Sequence, residues 1–249
     1  MSDVNESSCA PEWVDALTVM SGSSRFDLIF KLELADAWAR GDERAVRTAE
    51  EAYLEMVRAR NGFRESDPPR SGPAAFIDAF RATAASIRER GYDGNAPAIP
   101  LDARGELLNG AHRLAACAAY GLPCLVRRLP KASSDGSCLQ AFLDGRMAEP
   151  VVSWGMRAYL RRLPNGRLAG EFALASRAET PFPDWTDRAK DLRRFSWMWR
   201  IREKAYRFKA LFRRGRALER ALKHADECRH RAIAPLELAK YWDERTVAK

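Results

Sequence analysis

Histidine is scarce in this 249-residue chain: His112, His224 and His230 are the only three. Cysteine is nearly as sparse, and Cys9, Cys117, Cys124, Cys138 and Cys228 are odd in number and scattered. No paired spacing of the zinc-binding kind emerges, and Cys228-Arg229-His230 is too compact to chelate a metal. A disulfide framework is not expected, and reduced thiols in a cytoplasmic setting fit better. Long hydrophobic runs are missing too, with nothing near the roughly 18 unbroken apolar residues of a membrane span. Met1 to Glu6 is acidic and polar, without the basic and then apolar stretches of a secretory signal. Neither a Gly-x-Ser-x-Gly elbow nor a Walker loop is present, so the common serine-hydrolase and P-loop chemistries are excluded. Internal repeats and low-complexity segments are absent.

What remains is a chain able to build a core, 46% hydrophobic and 31% charged, with a formal charge of +8. The charge is localised. Between Asp187 and Lys223 stand 14 Lys/Arg and 4 Asp/Glu, a net of +10. The last 26 residues balance, and Met1 to Thr186 carries −2. A near-neutral body with one basic arm points to a local anionic partner rather than a generally basic fold.

Apolar periodicity predicts a first helix from Ser24 to about Arg40, stopped by Gly41, and a second from Asp42 to Asn61-Gly62. Arg64 to Ser71 reads as a polar loop, its two prolines excluding helix. Gly72-Pro73 opens a third helix that Gly91 ends. The pattern then changes. Ala98 to Asp102 and Gly105 to Leu108 read as short strands, Ala111 to Tyr120 as a compact helix, and Cys124 to Leu129 as a further strand. That is a small α/β unit. Beyond Pro130 the expectation is a polar loop at Ser133 to Ser137, a turn at Pro164-Asn165-Gly166, and a linker at Pro181-Phe182-Pro183. A basic amphipathic helix over 187–223, interrupted at Gly215, and a short last helix from Pro235 to Arg245 complete the chain. The fold class expected is α+β, with a helical N-terminal region (1–71), a small α/β core (72–150) and a C-terminal extension (151–249).

The segment with specific chemistry is Asn109-Gly110-Ala111-His112-Arg113, where a strand turns into a helix. Glycine there lets the backbone approach a ligand, the first helical N–H groups lack intrahelical partners, and the dipole favours an anion. Arg113 adds a guanidinium fork, and His112 can donate a hydrogen bond or exchange a proton. A helix start with an arginine on its outer face has the same signature, so both readings stay open on the residues alone.

Leu101-Asp102-x-x-Gly-Glu-Leu-Leu-Asn-Gly-Ala-His-Arg-Leu-Ala-Ala, followed by Gly121-Leu122-Pro123 and a strand, resembles the ParB/sulfiredoxin superfamily. The resemblance spans roughly residues 75–130. It implies a nucleotide site, with Asn109, Gly110, Ala111, His112 and Arg113 holding the phosphates of ATP or another nucleotide. Tyr53 to Gly91 also resembles ParB-like bacterial proteins found beside surface-polysaccharide enzymes. Two departures narrow the range of activities. Sulfiredoxin chemistry needs a cysteine where this chain has Ala111, which removes that activity. Partitioning proteins carry a helix-turn-helix after the nucleotide domain, and no convincing pair of short helices is read there. Asn109 also stands where many relatives have Asp, and it brings no negative charge.

The resemblance implies an ATP-dependent phosphotransferase acting on a small hydroxylated substrate, with surface glycans as its setting. Glu65 in the proline-bounded loop is the candidate base, as similar proteins carry Glu there. His112 is a second catalytic candidate, and Asp102 and Glu106, flanking the hairpin, are candidate Mg2+ ligands. Asp67 is a weaker one. The alternative is a nucleotide-responsive protein without turnover. For the arm over 196–223 three readings compete: a helix packed on the body with a solvated basic face, a helix on anionic lipid at the inner membrane face, and one on nucleic acid.

Overall fold

The structure is a computed structural model that describes residues 10–66, 68–130, 138–144, 147–175, 196, 200–208 and 216–247. It is a mixed fold of helices and small sheets, dominated by helix, as expected of an α+β chain. Its contacts divide into two units: Met1–Met56 with Asp78–Pro181, and Val57–Ile77 with Phe182–Lys249.

In the first unit, β1 (Glu12–Asp15) leads into α1 (Ala16–Gly22), whose start is capped by the Asp15 carboxylate accepting from Thr18 N at 2.7 Å. After Ser23 the chain enters α2 (Asp27–Arg40). Ten of its fourteen residues are buried, Asp27, Lys31 and Glu33 among them, so α2 is a central helix rather than an amphipathic surface one. Gly41 ends it at φ +67°, a left-handed stop that glycine adopts without strain. α3 (Glu43–Asn61) follows, and then α4 (Pro73–Arg90), each divided between the two units.

The sheet of this unit has the order β1-β5-β4. β4 (Ile99–Leu101) runs parallel to β5 (Pro123–Arg128), with α5 (Ala111–Ala119) as their crossover, while β1 pairs antiparallel on the other side of β5. The expected α/β unit is therefore present, with a strand the sequence reading did not assign completing it. Gly105 to Leu108 forms less than a strand: Leu101 and Leu107 make an isolated bridge, and Asp102 N donates to Glu106 O at 2.8 Å.

Downstream lie α6 (Leu139–Asp144), α7 (Glu149–Arg162) and α8 (Ala169–Ala175). This corrects the expectation of no helix pair after the α/β core. Pro150 sits in the first turn of α7, where its missing N–H costs nothing, and Gly155 lies within the helix because of what it packs against. Phe26 meets Phe30, Phe142 and Phe172 edge-on at centroid distances of 5.1, 6.0 and 5.1 Å. Trp154 joins at 5.9 Å from Phe30.

The second unit contains a hairpin, β2 (Arg64–Ser66) with β3 (Pro69–Ser71), where a plain loop was expected. Pro69 opens its strand, opposite Ser66, a position that tolerates a missing donor. The unit also holds α9 (200–208) and α10 (Arg216–Val247). α10 is one 32-residue helix containing Pro235, rather than an arm ending at Lys223 and a separate short helix. Its buried Ala221, Ala225, Cys228 and Ala232 recur at threes and fours, and Tyr206 of α9 packs on Cys228 and Ala232. The Pro181-Phe182-Pro183 linker, the 133–137 loop, Asp67 and the stretches 187–195, 197–199 and 209–215 of the basic arm lie outside the described residues.

A Cβ on Gly155 would stand 2.5 Å from Phe30 Cζ and 2.9 Å from Phe26 Cζ, both rings being fully buried. Gly155→Ala gains helix propensity of about 1 kcal/mol but overpacks this contact, which costs about 1–3 kcal/mol. The expected result is a lower urea midpoint at unchanged m-value. A raised midpoint would contradict this packing.

Candidate functional site around the start of α5

The candidate site lies in the first unit, and the turn between α1 and α2 positions it. Glu106, 5% exposed, accepts Ser23 Oγ–H at 2.7 Å and Ser24 N–H at 2.9 and 3.0 Å on its two oxygens, and Arg167 Nη1 donates to it at 2.6 Å. Arg25 continues the knot. Its Nε and Nη2 donate to the two oxygens of Asp27 at 2.9 and 2.7 Å, and its Nη1 donates to Leu107 O at 3.2 Å. Lys31 Nζ reaches Asp27 at 2.5 Å from the other side. Burial alone would loosen the proton on Arg25, but Asp27 and Glu106 more than offset this and hold the guanidinium charged. The turn before α2 is thus tied to the hairpin that delivers α5.

Asp102 is buried in the same hairpin, and its Oδ1 accepts the N–H groups of Arg104 and Glu106, each at 2.8 Å. Asp102 and Glu106, the two candidate Mg2+ ligands, are brought close along the chain, but they do different work. Asp102 shapes a turn and Glu106 clamps it to α1 and α2. Among the described residues no group of three or more His, Cys, Asp or Glu is placed to hold a metal ion.

Gly110 begins α5 at φ +85°, a conformation that requires glycine. The first intrahelical bond runs from Leu114 N to Gly110 O, and no side chain caps the helix. Asn109 is exposed, and its Oδ1 accepts Gly110 N at 2.6 Å, so it serves the turn rather than the helix. Arg113 folds back over the glycine: a Cβ there would lie 3.0 Å from its Nη2. Its Nη1 donates to Tyr92 Oη at 2.9 Å and to Pro97 O at 2.5 Å, and the guanidinium stacks 5.9 Å from the Tyr92 ring. Nε and Nη2 have no hydrogen-bond partner among the described residues.

His112 stacks on Phe80 at 4.5 Å and 16°, and its Nε2 is 3.0 Å from Tyr53 Oη. Tyr53 is fully buried, and a buried phenol needs a partner for its hydroxyl. That requirement fixes the imidazole's edge, and the Phe80 ring fixes its plane.

The remaining catalytic candidate belongs to the other unit. Glu65 belongs to β2 of the second unit, where its carboxylate is 3.1 Å from Arg70 Nη2. Tyr92, Pro97 and Ser23–Arg25, which hold Arg113 and the hairpin before α5, were not singled out from the sequence. The only signals for them were a tyrosine-to-proline loop just before β4 and two serines ahead of a helix. Cys117 and Cys124 are fully buried, as expected of small apolar packing groups. Burial pushes their thiols up to about 12 and about 11, which removes them as nucleophiles near neutral pH. A cleft of about 310 Å³ lined by Glu33, Arg40, Asp42, Trp154 and Arg161 includes none of the cradle residues.

No protein-family model, curated protein or solved structure matches this chain.

Because Glu106 satisfies a buried hydroxyl, a half-buried amide and an arginine, Glu106→Ala is expected to cost about 2–3 kcal/mol, measured by chemical denaturation. A loss below about 0.5 kcal/mol, the range of ordinary surface substitutions, would show that the knot does not hold the hairpin.

Proposed function

We propose that this is a ParB/sulfiredoxin-like nucleotide-binding protein, and that it transfers a phosphoryl group from ATP to a small hydroxylated substrate. The observation that supports the reading is the uncapped start of α5. Its leading N–H groups, the positive end of the helix dipole and the two unbonded nitrogens of Arg113 converge beside a glycine whose Cα carries no obstacle. Those features fit an anionic phosphate. ATP supplies the transferable phosphoryl group when bound, and the chain's own part is to hold and orient it. His112, kept in plane by Phe80 and on edge by Tyr53, is the group we assign to take the proton of an acceptor hydroxyl. Asp102 and Glu106 do not fit a Mg2+ shell, because both are buried and already accept N–H or O–H donors of the hairpin and the knot. The surface-glycan setting rests on resemblance alone.

Isothermal titration with ATP, ADP and CTP tests the reading. The expected outcome is binding below millimolar, at least tenfold weaker in Arg113→Ala, about 1.4 kcal/mol, with His112→Ala losing turnover while nucleotide still binds. Absence of binding at millimolar nucleotide would overturn it.

A second reading has an observation of its own. In α9, Ile201 and Phe208 are 47% and 63% exposed and seven residues apart, so they share a helix face, among Arg200, Arg202, Lys204 and Arg207. We infer from this that the basic arm can dock on an anionic surface, with nucleotide binding as a signal rather than a substrate. No helix among the described residues is long and apolar enough to cross a membrane, so such docking would be peripheral. Vesicles containing anionic lipid should retain the protein, and the double variant Ile201→Ser/Phe208→Ser should release it. Retention on duplex DNA instead, with a steep salt dependence, would favour nucleic acid.

A further inference from the structure

The second unit holds an arginine whose hydrogen-bonding capacity is largely unspent among the described residues. Arg70 Nε and Nη1 are buried and have no hydrogen-bond partner among the described residues. The guanidinium lies 5.7 Å from the centroid of Phe76, and Nη2 meets Glu65 Oε2 at 3.1 Å. Each fork of the guanidinium, Nε with Nη2 and Nη1 with Nη2, therefore has an unbonded arm, and two-oxygen anions bind such forks. Buried N–H groups without acceptors are rare in folded proteins, and a charged group in that state calls for a partner.

The platform under Arg70 is built at a cost. Phe63, fully buried, has φ +59°, a left-handed conformation that a bulky residue rarely adopts. Asn61 Oδ1 accepts its N–H at 3.1 Å, and Gly72 N donates to its carbonyl at 3.1 Å, which holds the turn closed. Its ring then meets Phe76 edge-on at 6.2 Å, and Phe76 carries Arg70. Strain that survives in a fold is concentrated where it positions something.

Glu65 sets the kind of ligand. Its side chain is 34% exposed, beside an arginine at 17%, so the pair forms the outer edge of the site. A fully deprotonated oxyanion on Arg70 would be repelled by this carboxylate. An oxyanion that keeps a proton would be accepted by both, taking N–H bonds from Arg70 and donating O–H to Glu65. We propose that Arg70 and Glu65 form a binding site for a protonated phosphate group, as inorganic phosphate or a phosphomonoester, independent of the nucleotide reading. Entry to the inner nitrogens needs the hairpin to part locally. β2 and β3 pair over three residues each, and so short a two-stranded hairpin is marginal by itself.

Thermal denaturation of the full chain at pH 6, with phosphate, methyl phosphate or sulfate at equal ionic strength, tests this. Phosphate and methyl phosphate keep a proton there, whereas sulfate has none to donate. The expected result is a phosphate-dependent rise in Tm of several degrees, with little from sulfate. A larger response to methyl phosphate than to phosphate would mark the phosphomonoester as the source. The rise should persist in Arg113→Ala and vanish in Arg70→Met, whose Tm without phosphate stays at or above that of the parent. Glu65→Gln should respond to sulfate as well as to phosphate. Arg70→Lys keeps the charge without the fork and should fold normally with a weakened response. The proposal is overturned if Arg70→Met keeps the rise, or if Arg70→Met and Arg70→Lys both lose most of their stability. Loss of the rise only in Arg113→Ala would assign the phosphate to the start of α5 instead.

Discussion

A buried carboxylate with three donors on it, Glu106, is the contact on which the candidate site depends. It binds Ser23, Ser24 and Arg167 at once, and so joins the turn before the central helix α2 to the hairpin before α5. Arg25, Asp27 and Lys31 extend the same network into the interior of α2. Taking these charges out of water is expensive, and removing one partner would leave the others uncompensated. Such a network tolerates few alternative arrangements, which makes it suited to fixing a direction. What it fixes is where the hairpin ends and therefore where the N–H groups of α5 emerge.

Around that start, the side chains divide the work. Arg113 joins α5 to the Tyr92–Pro97 loop through Nη1, and its other two nitrogens have no hydrogen-bond partner among the described residues. His112 is held by Phe80 and Tyr53, so the imidazole in the first turn of α5 has a defined plane and edge. The two buried thiols nearby contribute packing alone. The basic arm is a separate matter: its charge belongs to the second unit, with exposed Ile201 and Phe208 beside it, while the cradle uses a single arginine. The +8 of the whole chain is thus no guide to the cradle's chemistry.

The sequence shows α2, α3, α4 and α5 clearly because each carries long apolar periodicity or a glycine stop: Gly41 after α2, Gly62 after α3, Gly91 after α4. Gly110 and Arg113 were legible for the same kind of reason, since a left-handed glycine before a helix leaves a signature. β1 was not, because Glu12–Asp15 is four residues long and mostly exposed, so its pairing with β5 comes from tertiary contact rather than from alternation. Among the helices that follow, α6 and α8 are only six and seven residues long, and α7 carries Pro150 in its first turn and Gly155 against Phe30, residues that do not announce a helix. Pro235 misled in the same way within α10. The roles of Asp102 and Glu106 were also illegible: two hairpin carboxylates look alike in sequence whether they face solvent, a metal or, as here, backbone donors.

We propose above that the leading amides of α5 receive a nucleotide's phosphates. Amide chemical shifts followed during an ATP titration test it residue by residue. The account predicts saturable shifts concentrated at Gly110, Ala111, His112 and Arg113, together with the Arg113 side-chain Nε–H. Shifts confined to the basic residues of α9, or no saturable change at all, would contradict it.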